Sequence, residues 1–590
     1  MQALRNDRVR ACIQFIFLTT LCVLAQRALA QAAGTGIEFW LAPPDVTDMN
    51  GAPSGGEPIS LVLHASDLSA TVTIDQPANG SFTPIVTTIL ANQWTRKDLT
   101  AFKNALESRP TNTVLNTGIR ISSSAPITAY YEIGTPTNTA MLALKGADAL
   151  GREFAIPLQK SSLFFNESSY SAPHQAIASF DIVATQNGTA VSIYSPVPLD
   201  GHQAQQQFSL TLNRGQAYTA AFTGANWFQP FSHPSGAVVL ADKPVAVSLK
   251  DDSVHNPSGA CTNLLGDQLV PSGAVGTDYI AIKGLLGGGA HESVVLVAVE
   301  NDTRISQDGA ATPLVTLFAG ENFRVDLDYL AAGPNNATYL HASRPLYAAH
   351  ISGFGCSMAM AQLPRLQIAG SHTVDLVRED TQAFDLLLIS PADAVNGFSI
   401  SGAAATIAPA AFLPVPGTGG AWMAARIAFG TAEIPASTPF RVSNSAGFFA
   451  VGVLSGGSTT GARYGYFSRY AGNVGLTLTA FATPAAVPEP GGTVNTDVQV
   501  TNAGDTDAQL TALSDSFLGS LDARGTCVLP QSLVSGASYN CSFPRNATGN
   551  VGEIQTDIIA VAGTSYGAAV SAQGQASVAF TDVIFADGFE

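Results

Sequence analysis

Charged residues are scarce in this chain, at 12% of its 590 residues, against roughly a quarter in ordinary soluble domains. Basic residues are the scarcest, with 27 Lys and Arg against 44 Asp and Glu, which gives a formal net charge of −17. Binding to nucleic acid depends on clustered Lys and Arg, and docking on anionic lipid or sulfated glycan also needs positive charge. The composition therefore argues against all three kinds of partner.

The apolar spacing of an amphipathic helix is almost absent, and only residues 98–108 predict a short helix. The apolar run Ile13–Ala25 is too short to span a membrane comfortably. It follows a basic segment and ends in the small-residue pattern Ala28-Leu-Ala30, as signal peptides do. We therefore expect an exported protein with a signal peptide over residues 1–30, cleaved between Ala30 and Gln31, and no membrane-spanning segment in the mature chain.

Cysteine is also rare, since four of the six cysteines remain after that cleavage. An even number in an exported chain favours disulfides. Cys527 and Cys541 are 14 residues apart and are expected to pair. Cys261 and Cys356 are the second expected pair. A zinc site is the alternative, but no CxxC spacing supports it.

One phrase recurs along the chain. Val238–Leu249 reads as an apolar strand, a turn and a second apolar strand that starts at Pro244, where the missing N–H costs nothing. Pro126 and Pro345 occupy the same position in two further copies, and Gly447 lies near the turn of a weaker fourth copy. The successive spacings are 118, 101 and 102 residues (244 − 126, 345 − 244 and 447 − 345). These intervals predict a unit of about a hundred residues that occurs four times.

Each unit offers five or six short strands separated by Gly, Pro and Asn turns. This pattern predicts an all-β fold of tandem antiparallel β-sandwich-like repeats, with a β-propeller-like arrangement as the alternative, followed by a C-terminal Ig-like β-sandwich. The predicted segments are a signal peptide (1–30), a repeat region (31–472) with units at about 36–160, 178–285, 292–376 and 383–470, a Pro/Gly linker (473–493), the Ig-like module (494–583) and a short tail (584–590).

Three features together resemble the N-terminal domain of the IgGFc-binding protein family. They are the opening Glu38-Phe-Trp-Leu41, the recurring Asp-Lys-Pro-Val-Ala-Val phrase, and the block Cys261…Asp267-Gln268-Leu269…Pro271…Gly276-Thr-Asp-Tyr279. The resemblance covers residues 36–470 and implies an exported, non-catalytic binding or adhesion module. Residues 494–583 resemble the Ig-like modules of large bacterial surface proteins, and the tail resembles a short ending of some exported proteobacterial proteins.

Several local patterns were weighed as chemical sites. Gly563-Thr-Ser-Tyr-Gly567 matches a nucleophile pattern, but no histidine follows it, so a turn between strands is favoured. His291-Glu292 lacks the second histidine of a zinc protease. Asp48, Asn50, Gly51 and Glu57 match part of a calcium loop, and Asp251, Asp252 and His255 could hold a cation, but for both sets a polar loop is favoured. Phe39 and Trp40 are expected in the core, and His341 and His350 as half-buried strand residues.

No catalytic, cofactor-binding or metal-ligating residue is assigned, and no cofactor is expected. The favoured hypothesis is an exported, non-catalytic surface or secreted protein of a Gram-negative bacterium that binds a protein or glycoprotein partner. Periplasmic residence is also open. A passive envelope spacer is the first alternative. A secreted hydrolase with dispersed carboxylates is the second, because glycosidase pairs leave no local signature.

Overall fold

The computed structural model describes residues 36–47, 57–135, 138–160, 177–222, 233–255, 262–287, 290–327, 336–366, 369–470, 476–502, 508–533, 537–565 and 568–582. Strands dominate these residues, and each described helical segment has six residues or fewer. The predicted all-β fold is confirmed. The chain divides into two compact units, whose described residues fall within 32–471 and within 472–590.

The first strand group is built around one long, bent strand, β7. The elements of this part of the chain are β1 (Gly36–Leu41), β2 (Ile59–Ala65), β3 (Ala70–Asp75), β4 (Ile85–Ile89), β5 (Trp94–Asp98), a 3₁₀ turn (Thr100–Phe102), a helical turn (Lys103–Leu106), β6 (Val114–Leu115), β7 (Ile119–Thr135), β8 (Asn138–Ala143) and a 3₁₀ turn (Gly146–Ala149). The first half of β7 pairs mainly with β1 and β3, and its second half with β2 and β8. The short helix predicted within residues 98–108 is present as the 3₁₀ turn Thr100–Phe102 and the helical turn Lys103–Leu106.

The second group repeats this plan around β14. Its strands are β9 (Gly151–Ala155), β10 (Ala178–Ala184), β11 (Thr189–Tyr194), β12 (Gln207–Leu212), β13 (Ala217–Phe222), β14 (Val238–His255) and β15 (Thr262–Leu265). The first half of β14 pairs with β9 and β11, and its second half with β10 and β15. The two-residue strand β6 adds to β13 and links the first group to the second.

The third group has the same arrangement around β22. Its elements are a 3₁₀ turn (Ser272–Ala274), β16 (Gly276–Ile282), β17 (Leu285–Leu286), β18 (Ser293–Ala298), β19 (Thr303–Gln307), β20 (Val315–Leu317), β21 (Asn322–Asp326), β22 (Ala337–Gly355) and β23 (Ser357–Gln362). The first half of β22 pairs with β16 and β19, and its second half with β18 and β23.

In the fourth group two separate strands replace the bent one. The elements are β24 (Thr373–Arg378), β25 (Ala383–Pro391), a 3₁₀ turn (Ala392–Gly397), β26 (Phe398–Ser401), a 3₁₀ turn (Pro409–Ala411), β27 (Leu413–Pro414), β28 (Trp422–Ala428), β29 (Thr438–Asn444), β30 (Ala450–Gly456) and β31 (Ala462–Tyr466). The strands β24, β29 and β26 form one sheet, and β27, β28, β25, β30 and β31 form the other.

The sequence predicts hairpins whose second strand starts at a proline, and this prediction is wrong. In each of the first three groups the two apolar segments are halves of one strand, and Pro126, Pro244 and Pro345 lie where that strand passes from one set of partners to the next. Proline suits this position because no ladder hydrogen bond is needed there, whereas within a paired segment its missing N–H would interrupt the ladder. A bent strand that joins two sheets is a known way to form the corner of a β-sandwich.

The strand pairing also places the repeat boundaries earlier than the predicted ranges. The strands β9, β16 and β24 fall at the ends of the first three predicted units, yet they pair with β14, β22 and β29 of the group that follows. Each is the counterpart of β1, which pairs with β7. The first strands of the second, third and fourth groups therefore begin at Gly151, Gly276 and Thr373.

Apolar cores connect the four groups in a closed cycle. Trp40 packs with Val183 and Ala246 between the first and second groups. Other clusters join the second group to the third and the third to the fourth. A further cluster places Val62 and Tyr130 of the first group against strands of the fourth. The fourth group therefore contacts the first, so the repeats do not form an open linear array.

The second compact unit has two sheets around its own core. Its strands are β32 (Leu476–Thr483), β33 (Ala486–Pro488), β34 (Gly491–Asn502), β35 (Ala508–Asp515), β36 (Gly519–Ser520), β37 (Gln531–Leu533), β38 (Ser538–Thr548), β39 (Ile554–Ser565) and β40 (Ala568–Thr581). One sheet contains β32, β34 and β38, and the other contains the remaining strands. The segment predicted as a linker thus supplies β32 and β33. Leu476 and Leu478 alternate with threonines and are buried in the core, which explains why this segment is a strand.

Candidate functional site

The predicted cysteine pairs lie partly within the described residues. Cys527 and Cys541 are joined in a disulfide and are buried in the core of the second compact unit. Cys356 is disulfide-bonded. Its predicted partner Cys261 lies outside the described residues, as do Ala30 and Gln31 at the predicted signal-peptide cleavage site.

The candidate cation ligands Asp251 and Asp252 are not in a loop, because both lie inside β14 and are fully buried. Lys250 Nζ lies 3.0 Å from Asp252 Oδ2, and Ser253 Oγ donates a hydrogen bond of 2.6 Å to Asp251 Oδ1. Among the residues that the structure describes, no group of three or more His, Cys, Asp or Glu is arranged to hold a metal ion. These aspartates belong to the interior of the second strand group.

The other candidate residues from the sequence, where the structure describes them, are core or strand residues. Phe39 and Trp40 are buried, as expected, and Trp40 Nε1 donates a hydrogen bond of 2.7 Å to Glu38 Oε1. His350 and His341 both lie in β22, but His350 is fully buried and His341 is exposed. Of the calcium-loop pattern, Glu57 is buried, and the three other members, Asp48, Asn50 and Gly51, lie outside the described residues.

The most distinctive surface in residues 36–470 is the seam between the first and fourth strand groups. Side chains alternate across a strand, so alternate residues of β2 face opposite ways. Leu61 and Leu63 point into the core of the first group, whereas Val62 packs in the core shared with the fourth group and His64 lines a pocket with residues of that group. The sheet that contains β2 is therefore covered on both faces.

Ionic groups from both sides meet in this seam, and Glu132, Glu379 and Arg463 are buried there, whereas Arg96 and Asp380 are half-buried. We call the set Arg96, Glu132, Glu379, Asp380 and Arg463 the seam ion network. Arg96 and Glu132 come from the first group, and the others from the fourth. Arg96 pairs with both glutamates, Arg463 also pairs with Glu132, and Arg463 Nη1 lies 2.8 Å from Asp380 Oδ2. Each side thus supplies an arginine to a carboxylate of the other side.

Burial and the neighbouring charges together shift the pKa values of this network. Desolvation and the neighbouring Glu132 carboxylate raise the pKa of Glu379, while the two arginines oppose that shift. Desolvation disfavours the charged form of Arg463, but the carboxylates of Glu132, Glu379 and Asp380 outweigh it and raise the pKa of the guanidinium. Removal of one partner would leave a buried charge uncompensated, which is costly. Loss of one member of the network should therefore destabilise the seam.

Two clefts open along the seam. One, of about 370 Å³, lies beside the seam ion network and is lined by Ser60, Trp94 and Arg96. The other, of about 300 Å³, is lined by His64, Asp67, Asn92, Asp375, Ser401 and Arg441, and we call it the His64 cleft. Both volumes are at the lower end of the range for small-molecule sites, about 300–1,000 Å³.

Arg441 organises the charges of the His64 cleft. Its Nε donates a hydrogen bond of 2.6 Å to Asp375 Oδ1, which lies directly across from it on β24. Its Nη1 lies 2.7 Å from Asp67 Oδ1 and 2.9 Å from Oδ2 of the same carboxylate, on the other side of the seam. The hydrogen bond to Asp375, with the charges of both carboxylates, raises the pKa of Arg441. All three nitrogens of the guanidinium therefore bond to one of the two carboxylates.

His64 is the unusual member of this cleft. Its side chain is 3% exposed, and neither ring nitrogen has a hydrogen-bond partner. Burial lowers the pKa of His64; the Asp375 carboxylate opposes this shift and Arg441 adds to it. The imidazole is therefore neutral at pH 7, with one nitrogen a donor and the other an acceptor.

None of the seam residues stands out from the sequence alone. Two local signals are present, since His64 ends an apolar run in β2 and Glu132 lies between Tyr131 and Ile133. The arginines across the seam give no local signal, because Arg463 is 331 positions from Glu132 and Arg441 is 374 positions from Asp67.

The block Asp267-Gln268-Leu269 has a structural role. Asp267 accepts hydrogen bonds of 2.8 Å from the backbone nitrogens of Gln268 and Gln362, and its Oδ1 lies 2.7 Å from Lys145 Nζ. The hydroxyl of Tyr470 donates a hydrogen bond to the carbonyl of Gln362. We call Lys145, Asp267, Gln268, Gln362 and Tyr470 the central polar cluster. Its members come from the first strand group through to the fourth, so it ties the cycle together.

A second buried carboxylate, Asp181 on β10, gives a testable pH dependence. Burial raises its pKa from an ordinary 3.8 to about 7, although Thr219 Oγ1 donates a hydrogen bond of 2.6 Å to it. The folded state therefore holds a proton that the unfolded state has lost, and stability falls as the pH rises from about 4 to about 7.

We expect the substitution Asp181→Asn to remove this penalty. The difference in unfolding free energy between the variant and the wild type should grow in favour of the variant by up to about 4 kcal/mol from pH 4 to pH 8. Urea unfolding at both pH values measures it. The variant Asp393→Asn, at an exposed position, is the control and should show no such trend. An equal Asp181→Asn effect at both pH values would contradict the account.

A comparison with known families decides the classification. The family model described as IgGFc binding protein matches residues 139–453, which is more than half of the chain. The chain belongs to the IgGFc-binding protein family. The match covers the second and third strand groups, and most of the fourth as far as β30. The resemblance to this family, which the sequence predicts over residues 36–470, is confirmed over residues 139–453.

No curated protein matches the chain. Among solved structures, a Salmonella alpha-2-macroglobulin mutant is 12% identical, covers 94% of this chain and has a TM-score of 0.16. Native Escherichia coli alpha-2-macroglobulin is 11% identical, covers 92% and has a TM-score of 0.15. A tetra-tandem repeat of a large adhesion protein is 10% identical, with 67% of this chain and 92% of that one covered and a TM-score of 0.12. This chain spans only 40% of the two alpha-2-macroglobulins. At such TM-scores these likenesses support no argument about function.

Within the described residues, no helix is both long enough and apolar enough to cross a membrane.

Proposed function

We propose that this chain is an exported, non-catalytic binding protein that recognises a macromolecular partner, a protein or glycoprotein, at the surface of a Gram-negative bacterium or after secretion from it. Family membership over residues 139–453 is the observation that carries the proposal. In this proposal residues 1–30 direct export, the second compact unit, from β32 to β40, is an Ig-like module, and the tail 584–590 has a role in sorting or anchoring. Adhesion is the biological role that fits such a protein.

The chemistry of the seam supports a binding role. In the His64 cleft, Asp67 and Asp375 are both held by Arg441. In the neighbouring cleft, Glu379 and Asp380 are paired with Arg96 and Arg463. Ion pairs with arginine thus occupy all four of these carboxylates. The clefts offer shaped, polar surfaces, as a binding role requires.

The proposal is tested with the intact mature protein, immobilised and exposed to mucus and to serum, with uncoated resin as the control. We expect mass spectrometry to find an enriched protein or glycoprotein that, once purified, binds the mature protein saturably. Enrichment equal to that on uncoated resin in both fluids would contradict the proposal and favour a passive spacer.

A further inference from the structure

The unpaired imidazole of His64 is the strongest unexplained feature of the molecule. A buried polar group without a hydrogen bond is costly, yet both ring nitrogens of His64 lack a partner at 3% exposure. The side chain lines the His64 cleft and also a small inner pocket shared with Thr128 and Tyr130. A ligand in the cleft that can donate and accept hydrogen bonds would satisfy both nitrogens.

The charges of the cleft select against ionic ligands. Arg441 is the one basic residue among those that line the cleft, and two carboxylates already hold it. An anion such as phosphate or sulfate would therefore approach two carboxylates without gaining a free cation. A cationic ligand would have to compete with Arg441 for Asp67 and Asp375. A neutral polar ligand meets neither penalty.

The remaining polar groups of the cleft are side chains. Asn92, from the first group, and Ser401, from the fourth, are exposed, and the half-buried Pro439 adds an apolar residue to the lining. The backbone of β2 is paired on both sides by β5 and β7, and that of β29 by β24 and β26, whereas β24 and β26 are the edge strands of their sheet. Extended peptides commonly bind by adding a strand to a free sheet edge. Strand addition at β24 or β26 would pair backbone groups and leave the imidazole of His64 unpaired, so it does not account for that side chain.

From these observations we propose that the His64 cleft binds a neutral sugar residue of a glycan, with His64 and Ser401 as hydrogen-bonding partners of its hydroxyls. A hydroxyl group donates and accepts at one atom, which suits both a neutral imidazole and a serine. A pyranose ring also presents an apolar face that the half-buried Pro439 can contact. This inference rests on the proposed function and names the chemistry that the partner would present.

The variant His64→Leu is well suited to the test. Leucine replaces an unsatisfied buried polar side chain, so the variant should fold with at least wild-type stability, as urea unfolding will show. We expect its affinity for a neutral glycan to fall by about tenfold or more, because two hydrogen bonds are lost. Ser401→Ala should weaken binding by about threefold. Ser399→Ala, on the same strand but outside the cleft and exposed, is the matched control and should bind like the wild type.

The free-sugar probes are galactose, mannose and N-acetylglucosamine, and saturation-transfer NMR measures their binding. The macromolecular probe is a desialylated mucin, tested before and after enzymatic removal of its glycans. The free sugars test the cleft directly, and the mucin tests the same chemistry on a macromolecule. Binding of at least one sugar and of the glycosylated mucin, with both lost in His64→Leu, supports the inference.

Two outcomes would overturn it. Equal binding by wild type and His64→Leu would mean that the cleft is not the site. Retained binding to the mucin after glycan removal, with loss in His64→Leu, would assign the cleft to a peptide. In both cases the proposed function stands, because a partner is still bound. The proposed function falls separately, if the intact protein captures nothing from mucus or serum.

Discussion

The substitution Asp267→Ala is expected to lower the unfolding free energy of residues 32–471 by about 3–5 kcal/mol, the usual loss when one partner of a buried ion pair is removed. Lys145 would remain buried without its counter-charge, since its Nζ lies 2.7 Å from Asp267. The backbone nitrogens of Gln268 and Gln362 would also lose their acceptor. The effect should be large because the carboxylate joins strands of three groups in the centre of the cycle.

Urea unfolding of the intact mature protein measures this loss, with hydrogen exchange in β16 and β23 to assign it to the correct unit. Asp393→Ala is the control, because Asp393 is exposed, and it should change stability by less than about 0.5 kcal/mol. The double variant Lys145→Met with Asp267→Ala should lose less than the sum of the two single losses. A loss below about 1 kcal/mol for Asp267→Ala would show that the central polar cluster is not formed in solution.

The second large effect is expected for Arg463→Met in the seam ion network. This change leaves Glu132, which is fully buried, with Arg96 as its one remaining cation in the network, and Asp380 without its guanidinium. We expect a loss of about 3–5 kcal/mol in unfolding free energy. Hydrogen exchange should quicken in β8 and β31, which lie on the two sides of the seam.

The control for this variant is Arg304→Met, since Arg304 is exposed on β19 and far along the chain from the seam strands. It should leave stability unchanged within about 0.5 kcal/mol. Protection of β8 and β31 that is equal in Arg463→Met and in the wild type would contradict the role given to the network.

Local sequence patterns were sufficient for much of the fold. The all-β class follows from short apolar alternations, for example Ala70-Thr-Val-Thr-Ile74, whose alternate residues are buried in β3. The burial of Phe39 and Trp40 was also predictable, because aromatic residues in a strand are usually in the core. These features depend on a residue and its near neighbours, and so they can be read from a short window.

Strand pairing was harder to predict. A proline between two apolar segments was interpreted as a turn, but at Pro244 it marks a bend within one strand. A hairpin turn and a bend within one strand both place the proline where no ladder N–H is needed, so the local pattern cannot distinguish the two. A better signal was available in the openings Gly36-Ile-Glu-Phe39, Gly151-Arg-Glu-Phe154 and Gly276-Thr-Asp-Tyr279. Each lies in the first strand of its group, and together they mark the boundaries that the prolines obscured.

The seam could not be predicted, because it depends on contacts between residues that are distant in sequence. Arg463 and Glu132 are 331 positions apart, and Arg441 and Asp67 are 374 apart. Their pairing requires the closed cycle of strand groups, which no local pattern encodes. A histidine near the end of the apolar strand Ile59–Ala65 is compatible with a sheet edge, a position in the core or a binding site. Its unpaired ring nitrogens become evident when the fourth group is in place.

The closed cycle is tested most directly by a double-mutant cycle on Glu132 and Arg463. The variants are Glu132→Gln, Arg463→Met and the two combined, each studied by urea unfolding of the intact mature protein. Direct contact across the seam predicts a coupling free energy of about 1–3 kcal/mol. The double variant should therefore lose less unfolding free energy than the two single variants lose together. Additive losses, within about 0.5 kcal/mol, would show that the first and fourth strand groups do not meet.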